Sequence, residues 1–318
     1  LRRSLRHDVR ISVLAGGVGA AKFLQGLVNV VEPRDVTAIV NVGDDVDVMG
    51  LRISPDLDIV TYTLAGLVDE SKGWGFRDDA FRALSRLRNY GADVWMALGD
   101  EDLATHIYRT YRLAGGARLS EVTDEIRARL GVASRIVPAT DDRVTTLVRL
   151  AGGSTVSFEE YYVRYGFRPR ISGVTYSGCS SAEPAPGAVE AIESADAVII
   201  APSNPIASVM PILCIGEIAK AMRNRKRRIA ISPIVGGRAV KGPAVQMMAD
   251  LGMEPSPVGV AKFYRGLLDA IIIDSRDAGL SARVESEAGI RSFTADTMMV
   301  SADAKRRLAE FTLRSIAM

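Results

Sequence analysis

The residues best placed to do chemistry are three glycines and a lysine in the run RISVLAGGVGAAKFLQGL, namely Gly16, Gly17, Gly19 and Lys22. Glycine lets the backbone come close to a ligand, and the first amides of a helix carry the positive end of its dipole, which suits a diphosphate. The same spacing also serves tight packing of a strand on a helix. It is neither a dinucleotide fingerprint, whose third glycine would fall at Lys22, nor a P-loop, since no Gly-Lys-Ser/Thr follows. A second group is Asp44, Asp45 and Asp47, directly after the apolar run VTAIVNV and Gly43. Acids at the carboxyl end of a strand can contact a ribose or bind Mg²⁺, and equally can be a solvated turn or a helix cap. Asp58 falls in the first turn of a predicted helix, where an acid compensates the dipole. No Ser/His/Asp or Cys/His arrangement is visible. His106 sits mid-helix in DLATHIYRT and reads as a hydrogen-bonded structural residue, and His7 lies in the basic opening.

The elements that must position these residues alternate strand and helix. Ile11, Val13 and Leu14 make a buried strand, with a turn over Ala15 to Gly19, and Phe23, Leu24, Leu27 and Val28 recur at helical spacing. After Val36 to Val42, a second strand, a Ser-Pro-Asp turn opens a helix with Ile59, Tyr62, Leu64 and Leu67 as core candidates. Helices over Asp78–Tyr90 and Asp102–Leu113, parted by Val94–Leu98 and a turn at Gly99-Asp100, predict a cap over the sheet edge. Ser120–Leu130 is a further helix, and Arg135–Val137 with Val144–Leu150 reads as a small β region. FEEYYVRY (158–165) reads as a packed amphipathic helix under the cap or an aromatic platform for a flat ligand. In the second half, strands are expected at Asp196–Ala201, Arg228–Ser232 and, last, Ala270–Asp274, with helices over Pro211–Met222 and from Pro243. The loops Ser203-Asn204 and Ser232 to Gly237, including Gly236 and Gly237, then fall on the same sheet edge as the glycine turn.

With 318 residues, 47% hydrophobic, the chain can bury a large core as one α/β domain, set at 9–318 with a mainly helical insertion at about 73–165. A net charge of +2 argues against a protein built around nucleic acid, and RNRKRR (223–228) reads as the solvated end of a helix. Cys179 and Cys214 are too few for a disulfide framework or a four-ligand zinc site, so a reducing cytoplasm is expected. No apolar run reaches membrane-spanning length, and no signal-like segment follows the basic opening.

The combination GGVGAAKFLQGL (16–27), NVGDD (41–45), ISPDLDIVTYTLAG (53–66), LGDEDLATHIYRT (98–110), PSNPIASVMPIL (202–213) and SPIVGGRAVKGPA (232–244) resembles the 2-phospho-L-lactate transferase family of coenzyme F420 biosynthesis. The resemblance implies a Rossmann-like three-layer core with a mainly parallel sheet and a helical insertion, usually as a homodimer. It implies Mg²⁺-dependent transfer of a 2-phospho-acid from a guanosine diphosphate ester onto 7,8-didemethyl-8-hydroxy-5-deazariboflavin (Fo). The donor is lactyl-2-diphospho-5′-guanosine or its enolpyruvyl counterpart, and the products are F420-0 or dehydro-F420-0 and GMP. Carried over by position, Asp44 and Asp58 match acids at the metal and deazaflavin site, with Asp45 as a further acid or general base. Gly16 to Lys22, Ser203-Asn204 and Ser232 to Gly237 match the nucleotide-donor site. Ala97 departs from a basic or polar residue before Leu-Gly-Asp, and Met210 from a glycine. A nucleotide-binding regulator of the related gluconeogenesis-factor type and a nicotinamide oxidoreductase are the competing readings. Trp74 or Trp95 is expected near the acceptor.

Overall fold

The computed structural model describes residues 9–317, so the basic opening LRRSLRHD and its His7 lie outside the described residues. Seven parallel strands form the central sheet: β1 (Ile11–Ala15), β2 (Val36–Val40), β3 (Arg135–Pro138), β4 (Ala197–Ile200), β5 (Arg228–Ile231), β6 (Ala270–Asp274) and β7 (Arg291–Ala295). Every residue of β1, β4 and β6 is buried, the pattern of strands covered by helices on both faces. This is the expected α/β class.

The strand order is β7-β6-β5-β4-β1-β2-β3. The chain walks outward from β1 to β3 and then returns to lay β4 on the other side of β1, so that Val13 faces Ala38 on one side and Ile199 on the other. The loops that leave β1 and β4 therefore part in opposite directions. A crevice at the carboxyl ends of the strands is the geometric consequence.

Helix α1 (Gly17–Leu27) crosses the sheet packed between α2 (Pro55–Leu64) and the C-terminal helix Ala302–Ala317. The approach is close enough that a Cβ on Gly26 would stand 2.2 Å from the Lys305 carbonyl oxygen. Between β2 and β3 the chain also makes α3 (Arg82–Asn89), α4 (Asp100–Ala114) and α5 (Leu119–Arg129). A small separate core of Val48, Ile53, Leu84, Met96, Leu98 and Leu103 holds α3 and α4 over the sheet edge.

Several expected boundaries change. The segment 73–165 is not one insertion, because β3 returns from it to the central sheet beside β2. Its remaining β residues join a separate three-stranded antiparallel sheet, in which Thr145–Leu150 pairs with Thr155–Ser157 on one side and with Ile171–Ser177 on the other. Two short apolar runs close in sequence carry no local mark of which sheet each will join. β7 follows the strand expected to be last. The helix expected over Pro211–Met222 breaks into Met210–Leu213 and Gly216–Arg223. Cys179 and Cys214 are joined as a disulfide, their Cα atoms 5.9 Å apart. Among the described residues no single helix is long and apolar enough to cross a membrane.

Candidate active site

A cavity of about 480 Å³ opens at the parting of the β1 and β4 loops. Gly16, Gly17, Gly19, Lys22, Asp44, Asp58, Ser203, Asn204 and Ser232 all line it. The three glycines are required for different reasons. Gly16 has an ordinary extended backbone, but a Cβ there would meet Ser208 Cβ at 2.6 Å. Gly17 takes a positive φ of 73°, and a Cβ on Gly19 would stand 2.2 Å from the Pro202 carbonyl oxygen. So the turn is tightly packed and also faces a ligand space. The expected long turn is a single residue, because α1 starts at Gly17.

Ser203 Oγ is buried without a hydrogen-bond partner among the described residues. Asn204 caps the following turn, its Oδ1 accepting from the amides of Ile206 (3.0 Å) and Ala207 (3.3 Å). Ser232 Oγ is held within its own loop by the Ile234 amide at 3.2 Å. Gly236 and Gly237 do not line the cavity. They form the tip of the hairpin Ile234–Val235/Arg238–Ala239, with φ of 57° and 72°. Two successive positive φ values are what a two-residue hairpin turn demands, so these glycines answer to the turn rather than to a phosphate.

The acids separate into two groups. Asp44 points into the cavity, 7% exposed, with Oδ1 buried and unpartnered. Burial, then the nearby Asp56 and Glu159 carboxylates, hold its pKa well above the ordinary range. Burial pushes Asp56 up to about 6, against hydrogen bonds from Asn41 and Gly17, and Glu159 up to about 8. Asp56 accepts the Gly17 amide at 2.8 Å and Asn41 Nδ2 at 2.9 Å. The first amide of α1 is therefore taken by a carboxylate of α2 rather than left free. Asp45 turns away from the cavity, accepting from Ser54 Oγ at 2.7 Å and pairing with Arg52 at 3.2 Å, so its place is structural. Burial raises it to about 7, and Arg52 works against that rise. Asp47 is exposed and paired with Arg52 and Arg143.

Asp58 belongs to the second group. Both of its oxygens accept from the guanidinium of Arg109, which is 2% exposed. Helix α4 delivers Arg109 together with His106 and Asp102, and Asp102 Oδ1 accepts the Tyr62 hydroxyl at 3.0 Å. His106 Nδ1 lies 3.7 Å from Asp58 Oδ2. The sequence marked none of Asp56, Glu159, Arg109 or Asp102 as functional. The repeated acids of PDLD and GDED hinted at Asp56 and Asp102, and nothing local marked Glu159 or Arg109.

Among the described residues no three His, Cys, Asp or Glu side chains are arranged to hold a metal ion. A cation here would take one or two carboxylates and complete its shell from substrate phosphate, the habit of Mg²⁺. The residues fit that demand. Asp44 offers an orphaned buried oxygen, and it faces Asp56 and Glu159, neither of which has an ion-pair partner among the described residues. Asp58 is already neutralised by Arg109 and contributes only its remaining lone pairs.

The aromatic segment is divided between core and cavity. Tyr161 is core, while Phe158 and Tyr162, stacked at 5.9 Å, line the cavity with Glu159. Trp74 lines it as well. Trp95 does not, and packs instead on the small core.

Comparison with known proteins identifies the family. The family model described as 2-phospho-L-lactate transferase CofD matches residues 11–314. A 2-phospho-L-lactate transferase of Methanopyrus kandleri is 41% identical over 97% of this chain and 98% of its own. A phosphoenolpyruvate transferase of Streptomyces griseus is 40% identical over 96% and 98%. A crystal structure of a UPF0052-family protein from Bacillus halodurans superposes with a TM-score of 0.61 at 18% identity, over 96% of this chain and 98% of that one, a likeness of fold. With the family model spanning nearly the whole chain and relatives at about this identity, the chain belongs to the 2-phospho-L-lactate transferase CofD family.

Proposed function

We propose that this chain transfers a 2-phospho-acid, 2-phospho-L-lactate or enolpyruvyl phosphate, from a guanosine diphosphate ester to the terminal ribityl hydroxyl of Fo, releasing GMP. The observation that carries the reading is one cavity in which the glycine turn and Ser203-Asn204 face Asp44 on one side and, on the other, the wall of α2 and α4, where Asp58 and His106 stand beside the apolar Ile59, Met96 and Leu98. Family membership supports the same reaction, and the relatives' names divide between the two phospho-acids.

Attack of an alcohol on phosphorus, with a phosphate as leaving group, needs alignment and charge dispersal more than a covalent nucleophile. Lys22 and the loop at Ser203-Asn204 would hold the donor's phosphates. Asp44, with Asp58 behind it, would hold a divalent cation, which when bound spreads the charge of the phosphoryl group being transferred. A cytoplasmic homodimer without nucleic-acid or membrane partners completes the proposal.

Mass spectrometry of products formed from Fo with each guanylated donor tests it. The expected result is a mass corresponding to F420-0 or dehydro-F420-0 that requires Mg²⁺, together with GMP. Donor recognition has its own check: GDP should raise the melting temperature more than ADP at equal concentration, because a ligand that binds only the folded state stabilises it. Equal shifts would sink the guanosine assignment, and absence of product with both donors would sink the reaction.

A further inference from the structure

Asp102 and His106 sit one turn apart on α4, both line the cavity, and both are more than nine-tenths buried, at 7% and 1% exposure. The tautomer of His106 follows from its neighbour. Arg109 has only donors to offer, and its Nη1 lies 3.3 Å from His106 Nδ1, so Nδ1 presents a lone pair and the ring hydrogen is on Nε2. That Nε2 is buried without a hydrogen-bond partner among the described residues. It stands 3.4 Å from Asp102 Oδ1, an oxygen already engaged by Tyr62, while Asp102 Oδ2 takes no hydrogen bond among the described residues. The wall of the cavity thus carries a donor and an acceptor side by side, both unsatisfied, framed by Ile53, Ile59, Met96 and Leu98. For the buried Nε2–H an unmade hydrogen bond is costly unless a ligand completes it.

We propose that Asp102 and His106 read the imide edge of the acceptor's pyrimidinedione ring, with His106 Nε2–H donating to a ring carbonyl and Asp102 accepting the adjacent N3–H. This rests on the deazaflavin acceptor proposed above and adds the residues that select it. A flat imide places a carbonyl and an N–H at fixed adjacent positions and suits the apolar frame. A ribityl hydroxyl could exchange similar hydrogen bonds, but it belongs at the phosphoryl end of the cavity, beside Asp44 and Lys22. The pair would discriminate ring systems in the way that sites built to hydrogen-bond a substrate do.

The test is a binding titration of Fo and of N3-methylated Fo to the whole chain, with GDP binding as the control for folding. N3 methylation should weaken binding to the unmodified protein about tenfold or more, and the difference should disappear in Asp102→Ala. His106→Phe should weaken Fo by a similar factor with GDP affinity unchanged, and His106→Gln, which keeps an N–H, should recover most of it. Equal affinity for the two ligands, or undiminished Fo binding by His106→Phe, overturns the proposal. So does loss of Fo and GDP together in both His106 variants, which marks a folding role alone. If the unmodified protein binds GDP and no Fo, the acceptor assignment fails and this subsite fails with it.

Discussion

The two walls of the cavity are built on opposite principles. On the side of β1, β4 and β5 the surface is backbone and small residues, set so closely that Gly16 and Gly19 have no room for a side chain. Facing it, α2 and α4 present charged side chains out of solvent, with Asp58 and Arg109 paired across 51 residues of sequence. One wall is held by packing, the other by charge compensation. They should therefore fail in different ways: the packed wall through overpacking, the charged wall through an orphaned ion.

The sharpest way to break the charged wall is Arg109→Met. Removing one partner of a buried pair leaves Asp58 uncompensated, so chemical denaturation should show a loss of about 3–5 kcal/mol. Asp58→Asn strands the guanidinium instead and should cost a similar amount, more than the roughly 1 kcal/mol due to a first-turn acid alone. A double substitution that is less unstable than the sum of the singles would confirm the pairing, and additive losses would refute it.

Asp44→Asn, in the loop after β2, separates function from stability. Turnover should fall by on the order of 10² or more through lost charge stabilisation, while the melting temperature holds or rises, since one of several facing carboxylates loses its charge. Unchanged turnover would remove Asp44 from the reaction. On the packed wall, Gly19→Ala should cost about 1–3 kcal/mol, because its Cβ has the Pro202 carbonyl in its way. Gly237→Ala, in the hairpin tip with only its positive φ against it, should cost about 1 kcal/mol and leave donor affinity unchanged. Loss of donor binding in Gly237→Ala would restore that loop to the site.

A subtler effect is in pH. Glu159 is raised by burial, then by Asp56 and Asp45, to about 8 in the folded chain, against roughly 4.3 when unfolded. The native state then binds more protons than the unfolded state between those values. Stability from this group is fully present below about pH 4 and is lost as pH rises toward 8. Without divalent cations the melting temperature should therefore drop over that window, and Glu159→Gln should flatten the drop. A profile identical in the variant would show that Glu159 does not titrate there. Smallest of all, Asp47→Asn, at an exposed position, should stay within about 0.5 kcal/mol and leave turnover untouched.

How much of this was legible in the sequence follows the same division. The apolar runs at 11–15, 36–40 and 197–200, and the breakers after them, announced a buried parallel sheet with loops on one edge, because strand periodicity and turn chemistry are local. The glycine turn, Ser203-Asn204 and Asp44 were visible for that reason, each at the end of its own strand. Gly236-Gly237 misled because glycine pairs look alike whether they cradle a phosphate or turn a hairpin, and only the φ values tell them apart. His106 read as structural, and its nearness to the carboxylate of Asp58 on another helix arises only after α4 folds over α2. Asp45 and Asp58 show the same limit from the other side. A sequence displays a carboxylate, but whether it faces a ligand or a buried cation depends on which distant element arrives beside it. That choice was made by the packing of α4 on the sheet edge, where the desolvated Arg109 needed an acid and found Asp58.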